Sequence, residues 1–168
     1  MKKIETERKY VIVKPDIALL RCEAGYTESK ITQIYLIDEE KTHRIRKREY
    51  PDGVIEYTEN TKRRISPMSV IEGEESISRE RFSELSANID PRTRPIEKTR
   101  VTFLYSGRIF EMDVYPFWER TAVLEVEIER EDERIDIPPF IKLVKDVTGI
   151  REYSNHSMAY RFPRELDI

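Results

Sequence analysis

The strongest constraint on this chain is a repeat of two residues in which one parity is apolar and the other carries charges of one sign. Glu5 and Glu7 share a parity near the start of the chain, and Arg44, Arg46 and Arg48 share one further along. Successive side chains of an extended strand point to opposite faces, so a period of two is typical of β-structure. The chain is therefore predicted to form a sheet with a charged face.

Eight segments show this alternation. They are Ile4–Val13, Ile31–Ile37, Thr42–Arg48, Ile55–Lys62, Val70–Ile77, Ile96–Tyr105, Arg108–Tyr115 and Val123–Glu129. Ser106–Gly107 predicts a tight hairpin turn between two of these segments, and Pro51-Asp52-Gly53 predicts another. Adjacent strands joined by such short turns run in opposite directions, so the sheet is predicted to be mainly antiparallel.

Helices are expected at few places. Asp16–Cys22 is one candidate, and Ser78–Asn88 is a second with Ser78 as its N-cap. Pro139–Thr148 is a third, opened by a proline and closed by Gly149. The segment Tyr153–Tyr160 is a fourth. Because no repeat or linker interrupts the pattern, we expect residues 1–168 to form one α+β domain dominated by its sheet.

The charged parity is sorted by sign from strand to strand. Like charges two residues apart on one face repel each other unless solvent or a ligand relieves the cost. If the sheet closes with these faces inward, basic strands meet acidic strands around a polar cavity. Arg and Lys would then bind a polyanion, and clustered carboxylates would bind Mg²⁺ or Mn²⁺. The alternative is that these residues form the solvated outer face of a highly charged sheet.

Composition narrows the classes of partner. The chain has 30 Lys and Arg against 33 Asp and Glu, a formal net charge of -3, and this balance argues against a nucleic-acid partner. Cys22 is the only cysteine, so neither an intramolecular disulfide nor a cysteine-based metal site is expected. No apolar run approaches membrane-spanning length, so no membrane partner is expected and a cytoplasmic location is predicted. A homodimer stays an open alternative.

Nine short motifs follow one another along the chain. The first, Glu5-Thr6-Glu7-Arg8-Lys9, has the pattern E-x-E-x-K. The others are Gln33-Ile34-Tyr35-Leu36, Arg44-Ile45-Arg46, Lys62, Glu72-Gly73-Glu74, Glu97-Lys98-Thr99-Arg100, Glu111-Met112-Asp113-Val114, Glu125-Val126-Glu127 and Tyr153-Ser154-Asn155. In type and order they resemble the motifs of the CYTH superfamily, also called the triphosphate tunnel metalloenzymes. Asn60 and Val70 depart from that pattern, which has threonine and often arginine there.

The resemblance implies a closed eight-stranded antiparallel β-barrel, a triphosphate tunnel with charged side chains inside and a few helices outside. It also implies a triphosphate substrate and Mg²⁺ or Mn²⁺ as cofactor. Six basic residues would then be the phosphate-binding and catalytic groups: Lys9, Arg44, Arg46, Lys62, Lys98 and Arg100. Seven acidic residues would be metal ligands: Glu5, Glu7, Glu72, Glu74, Asp113, Glu125 and Glu127.

Hydrolysis of inorganic tripolyphosphate is the leading functional hypothesis, because no pattern identifies a pocket for a base or a thiazole. A class IV-type adenylate cyclase, a thiamine or nucleoside triphosphatase, and a non-catalytic polyphosphate-binding module are the alternatives. His43 is predicted to be structural or exposed. His156 is predicted to lie at the surface, and a position covering one mouth of the tunnel is the alternative. Phe117 and Trp118 are predicted to be packing residues.

Overall fold

A computed structural model describes residues 2–168, in which nine strands surround a cavity and short helices lie outside it. The strands are β1 Lys2–Val13, β2 Thr27–Tyr35, β3 Thr42–Glu49, β4 Ile55–Arg64, β5 Ser69–Ser76, β6 Ile96–Tyr105, β7 Arg108–Val114, β8 Thr121–Glu127 and β9 Leu143–Asp146. The helices are α1 Ile17–Leu20, α2 Arg79–Ser86 and α3 Asn155–Tyr160, and a 3-10 turn spans Arg151–Tyr153.

All the strand pairings are antiparallel. The strands follow the order β5-β4-β3-β2-β6-β7-β8-β1-β9, and an additional pairing between β5 and β1 closes the first eight into a barrel. Each of the eight predicted strands is present in this barrel. The predicted closed eight-stranded antiparallel β-barrel is thus confirmed, and β9 is an extra strand on the outside of the closure.

Strand β1 is long enough to have two partners on one of its edges. Tyr10 pairs with Leu124 of β8 on one side and with Asp146 of β9 on the other. Strand β5 pairs with β1 only from Lys2 to Thr6. Further along that edge the backbone groups also need partners, and β9 supplies them for Tyr10 to Ile12.

The predicted helix over Pro139–Thr148 is therefore wrong. Its proline and its terminal glycine are compatible with a helix, but residues Leu143–Asp146 are extended and bonded to β1. Tertiary hydrogen bonding and the packing of Val144 against the core outweigh the local preference.

Two local predictions are confirmed in detail. Ser106 and Gly107 have φ angles of 49° and 75°, the two successive positive values that a type I′ hairpin turn requires. Ser78 caps α2, because its side chain accepts a hydrogen bond from the backbone N–H of Arg81. These contacts define the β6–β7 hairpin and the start of α2.

Three apolar clusters surround the barrel and leave much of its inner face polar. The first covers the outer face of β1, β6, β7 and β8 and includes Phe103, Phe110 and Leu124. The second, around Tyr153 and Met158, packs α3 and the 3-10 turn across one end of the barrel. In the third, α2 packs on the outer face of β2 and β3. Within residues 2–168, none of the helices has the length and apolar character needed to cross a bilayer.

Candidate active site

The barrel encloses a cavity of about 1010 Å³. Most of the residues predicted from the sequence line it: Glu5, Glu7, Lys9, Arg44, Arg46, Lys62, Glu72, Glu74, Arg100, Glu125 and Glu127. Lys98 and Asp113 do not. The sign-sorted faces therefore point inward, and the alternative of a solvated outer face is wrong for the residues that line the cavity.

Basic groups of β3 and β4 face acidic groups of β5 and β1. Arg46 Nη2 lies 3.0 Å from Glu74 Oε2, and Arg44 Nη2 lies 3.4 Å from Glu72 Oε1. Lys62 Nζ lies 3.0 Å from Glu5 Oε2 and 3.4 Å from Glu72 Oε1. The register that pairs Lys62 with Glu72 across β4 and β5 brings these charges together.

A second set of ion pairs lines the opposite side of the cavity. Lys9 Nζ lies 2.9 Å from Glu125 Oε1 and 3.4 Å from Glu7 Oε1, and Arg100 Nη2 lies 3.1 Å from Glu125 Oε2. Burial alone would lower the pKa of Lys9, but Glu125 and Glu7 raise it above its ordinary value. Burial likewise favours a higher pKa for Glu125, yet Lys9 and Arg100 hold it well below the usual range. Lys9 and Glu125 are therefore both ionised near neutral pH.

Lys98 and Asp113 lie behind this lining rather than on it. Lys98 Nζ is 2.5 Å from Asp113 Oδ2, and both side chains are fully buried. Asp113 also accepts hydrogen bonds from Arg100 at 2.7 and 2.8 Å. Asp113 thus joins a buried ammonium to a guanidinium that reaches the cavity, and it fixes the position of Arg100.

The acidic groups have the donor chemistry that a divalent metal ion requires. Burial and then a hydrogen bond with Glu72 raise the pKa of Glu5, while burial and then the charge of Glu125 raise the pKa of Glu7. Carboxylates that crowd one another in this way are stabilised by a cation, and oxygen donors suit Mg²⁺ and Mn²⁺. Across residues 2–168, no three His, Cys, Asp or Glu side chains are grouped as a ready-made metal site.

On the inner face of β2 and β3, some buried polar atoms have no hydrogen-bond partner in the protein. We call this face, formed by Gln33, Tyr35, Arg44, Arg46 and Arg48, the β2–β3 wall. Within the described part of the chain, the buried side-chain atoms without a hydrogen-bond partner are Gln33 Oε1, Arg44 Nε and Arg46 Nε. Buried polar groups nearly always have partners, so unpartnered donors in a cavity indicate a place where a ligand binds.

Asn60 departs from the family pattern, and it contacts two residues that line the cavity. Its side chain is fully buried, and its amide donates a hydrogen bond of 3.1 Å to Glu72 Oε1 and another to Glu74. Its own oxygen accepts a hydrogen bond from Thr58. Asparagine at this position therefore connects the two glutamates of β5, which a threonine hydroxyl with one proton could not do.

The two histidines differ in position. The prediction that His156 lies at the surface is wrong, because α3 places its half-buried ring in the cavity, with the ring centroid 5.1 Å from that of Tyr35. Burial lowers the pKa of His156. No motif singled out this residue, since its position depends on how α3 packs. His43 lies on the outer face, where Nε2 is 2.7 Å from Glu59 Oε1, in line with its predicted structural role.

Comparisons with known proteins identify similar folds among solved structures. The inorganic triphosphatase NE1496 is 26% identical, with a TM-score of 0.60 over 95% of this chain and 97% of that one. PH1819 from Pyrococcus horikoshii OT3 is 16% identical, with a TM-score of 0.55 over 76% and 80% of the two chains. HpAC1 from Hippeastrum, a proposed adenylyl cyclase with a dominant triphosphatase activity, is also 16% identical, with a TM-score of 0.51 over 75% and 80%.

No protein-family model and no curated protein sequence matches this chain. The match to NE1496 nevertheless extends over nearly the whole of both chains. The resemblance to the triphosphate tunnel family is confirmed at the level of the fold.

Proposed function

We propose that this chain, which has the triphosphate tunnel fold, is a metal-dependent triphosphatase whose preferred substrate is inorganic tripolyphosphate. The substrate would lie in the cavity between the β2–β3 wall and the carboxylates of β1 and β8. The similarity to NE1496, itself an inorganic triphosphatase, supports the type of reaction.

The observation that carries this proposal is the pair of unpartnered donors on the β2–β3 wall. Arg44 Nε and Arg46 Nε are buried without a hydrogen-bond partner. Phosphate oxygens only accept hydrogen bonds, and the planar guanidinium donates to them in pairs. A phosphate chain along this wall would satisfy both donors and would relieve the repulsion between the two neighbouring cations.

The remaining basic groups would bind the other phosphate oxygens. Lys9, Lys62 and Arg100 line the cavity from β1, β4 and β6. Charge that builds up on the transferred phosphoryl group is stabilised by such preorganised cations, which is the main contribution a protein makes to phosphoryl transfer. Lys98 and Asp113 would act indirectly, by positioning Arg100.

Glu5, Glu7, Glu125 and Glu127 would hold one or two divalent ions, with Glu72 and Glu74 as further candidates. A bound Mg²⁺ or Mn²⁺ would supply charge neutralisation of the phosphate oxygens and activation of a water molecule. The raised pKa values of Glu5 and Glu7 support this assignment, because a bound metal ion would stabilise both ionised carboxylates and lower these pKa values again.

Inorganic tripolyphosphate is favoured because charged side chains dominate the lining. The aromatic rings of Tyr35, His156 and Tyr160 meet at one end of the cavity, with His156 and Tyr160 ring centroids 5.3 Å apart. Aromatic rings stack on bases, so this cluster keeps a nucleoside triphosphatase or a class IV-type cyclase as the second candidate.

A phosphate-release assay tests the proposal. Tripolyphosphate, ATP and thiamine triphosphate would be compared with Mg²⁺ and with Mn²⁺, and cyclic AMP would be assayed in the ATP reaction. We expect kcat/KM for tripolyphosphate to exceed that for ATP at least roughly tenfold, because a nucleoside would add bulk and little binding energy. Equal values would remove the inorganic preference, and cyclic AMP as main product would indicate a cyclase. Binding without turnover would indicate a non-catalytic polyphosphate-binding module.

A further inference from the structure

Gln33 is a neutral side chain in the most positively charged part of the cavity. It lies near the middle of β2, where its backbone pairs with Arg46 on one side and with Ile96 on the other. The residue is only 2% exposed, yet it contributes to the lining of the cavity. Its side chain is therefore out of contact with bulk water but within reach of whatever occupies the cavity.

The amide of Gln33 is not satisfied by the protein. Its Oε1 atom is buried and has no hydrogen-bond partner. By contrast, Ser29, a buried polar residue on the same strand, accepts a hydrogen bond of 2.9 Å from Arg48 Nε. A buried amide without a partner lowers stability. Its presence in a cavity therefore indicates that a bound ligand forms the missing hydrogen bond.

The surrounding groups indicate whether the ligand presents a hydrogen-bond donor or an acceptor to Gln33. Rotating the amide by 180° exchanges its oxygen and its NH₂ group without moving the rest of the side chain, so Gln33 can present a donor to an anion. A further cation would be unfavourable here, because burial and the charge of Arg44 already lower the pKa of Arg46. A neutral donor adds a hydrogen bond to a phosphate oxygen without adding repulsion.

We propose that Gln33 is a substrate-contacting residue, whose amide donates a hydrogen bond to the phosphate group held by Arg46. This inference rests on the proposed function and adds a neutral contact to its cationic ones. The contact contributes to ground-state binding, since it is made equally to the substrate and to the transition state. Its cost is that the ligand-free protein keeps an unsatisfied amide.

The Gln33→Leu variant tests this trade between affinity and stability. Leucine fills a similar volume and removes both polar atoms. We expect Kd and KM for tripolyphosphate to rise roughly tenfold or more, the scale of a hydrogen bond to a charged group, with kcat nearly unchanged. The Tm of the ligand-free variant should be equal to or higher than that of the wild type. Calorimetric titration, steady-state kinetics and thermal unfolding supply these values.

Thr102→Val is the matched control, because Thr102 is a buried polar residue whose hydroxyl is paired with that of Thr27. It should lower Tm and leave Kd unchanged. If Gln33→Leu behaves in the same way, the amide has a structural partner and the inference fails. Gln33→Glu replaces the donor with an acceptor and should weaken the binding of tripolyphosphate at least as much. This variant tests the inference if the leucine variant does not fold.

Failure of this inference can be told apart from failure of the proposed function. A wild-type protein that binds tripolyphosphate but does not hydrolyse it would overturn the proposed function, and the change in Kd would still decide the role of Gln33. A wild-type protein that does not bind tripolyphosphate, with or without Mg²⁺, would overturn both.

Discussion

Lys98 and Asp113 form an ion pair with Nζ and Oδ2 2.5 Å apart, and neither side chain has any exposed surface. Asp113 also accepts hydrogen bonds from the guanidinium of Arg100, so one carboxylate contacts two buried cations. Charges removed from water to this degree are tolerated only when their partners are in place. The pair is therefore part of the structure that holds Arg100 in the cavity.

Asp113→Ala should lower the free energy of unfolding by about 3–5 kcal/mol, because it leaves the buried ammonium of Lys98 without its ion-pair partner. Urea unfolding measures the change. The double variant Lys98→Met, Asp113→Leu should recover part of the loss. The exposed pair Arg81 and Glu84 provides a control, since Glu84→Ala should cost no more than about 1 kcal/mol. If Asp113→Ala lost no more stability than Glu84→Ala, the buried pair would not be structural.

Arg46→Ala should reduce turnover by roughly 10²- to 10³-fold, the scale of losing one preorganised charge-stabilising donor. Arg48→Ala is the matched comparison on the same face of β3, nearer to the end of the strand. Its guanidinium already bonds to Ser29 and lies over the ring of Tyr50, so a smaller effect is expected. Steady-state kinetics with tripolyphosphate measures both variants, and equal small effects would argue against phosphate binding along the wall.

Activity should require a divalent metal ion and should be lost in excess EDTA. Glu7→Gln should also abolish turnover while leaving Tm close to the wild-type value, because the amide keeps the shape of the side chain and removes its charge. Glu127→Gln is expected to behave similarly. Glu80→Gln, on the outer surface of α2, is the control and should remain fully active. Full activity of the wild type in EDTA would exclude the metal-dependent mechanism.

Glu165 anchors the C-terminal segment and should make stability depend on pH. Desolvation raises the pKa of Glu165, but together the backbone N–H groups of Arg120, Glu119 and Thr121 and the hydroxyl of Thr121 outweigh it and lower the pKa to about 2. A carboxyl whose pKa is lowered on folding stabilises the protein above its unfolded pKa of 4.5, and the contribution disappears as pH falls towards 2. The difference in Tm between wild type and Glu165→Gln should therefore be largest above pH 5 and shrink towards pH 2. A difference that does not change with pH would contradict this.

The sequence predicts which face of each strand a side chain occupies, because that depends only on parity. It therefore identified the inward direction of Arg44, Arg46, Glu125 and the other charged residues. It does not predict depth along the barrel or mutual pairing. Lys98 and Arg100 have the same parity and sign, yet only Arg100 lines the cavity, because Asp113 and the surrounding core enclose Lys98.

Other features depend on contacts between distant parts of the chain. β9 is a strand because an edge of β1 is available to it, and its own sequence is compatible with a helix. His156 reaches the cavity because the 3-10 turn and α3 pack across the end of the barrel. Neither Gln33 nor Asn60 carries a charge, so the pattern of charges along the sequence does not indicate that either lies in the site.

The order of its partners along the chain also determines when β1 can be fully paired. The backbone N–H of Lys9 bonds to the hydroxyl of Thr148, 139 residues later in the chain. During synthesis, β1 emerges before β5, and β8 and β9 emerge later still. Until β8 and β9 have been made, the part of β1 from Glu7 to Val13 has no strand partner and is exposed, as in the strands through which proteins aggregate. We therefore expect closure of the barrel to be the slow step of folding and to occur only after β8 has been synthesised.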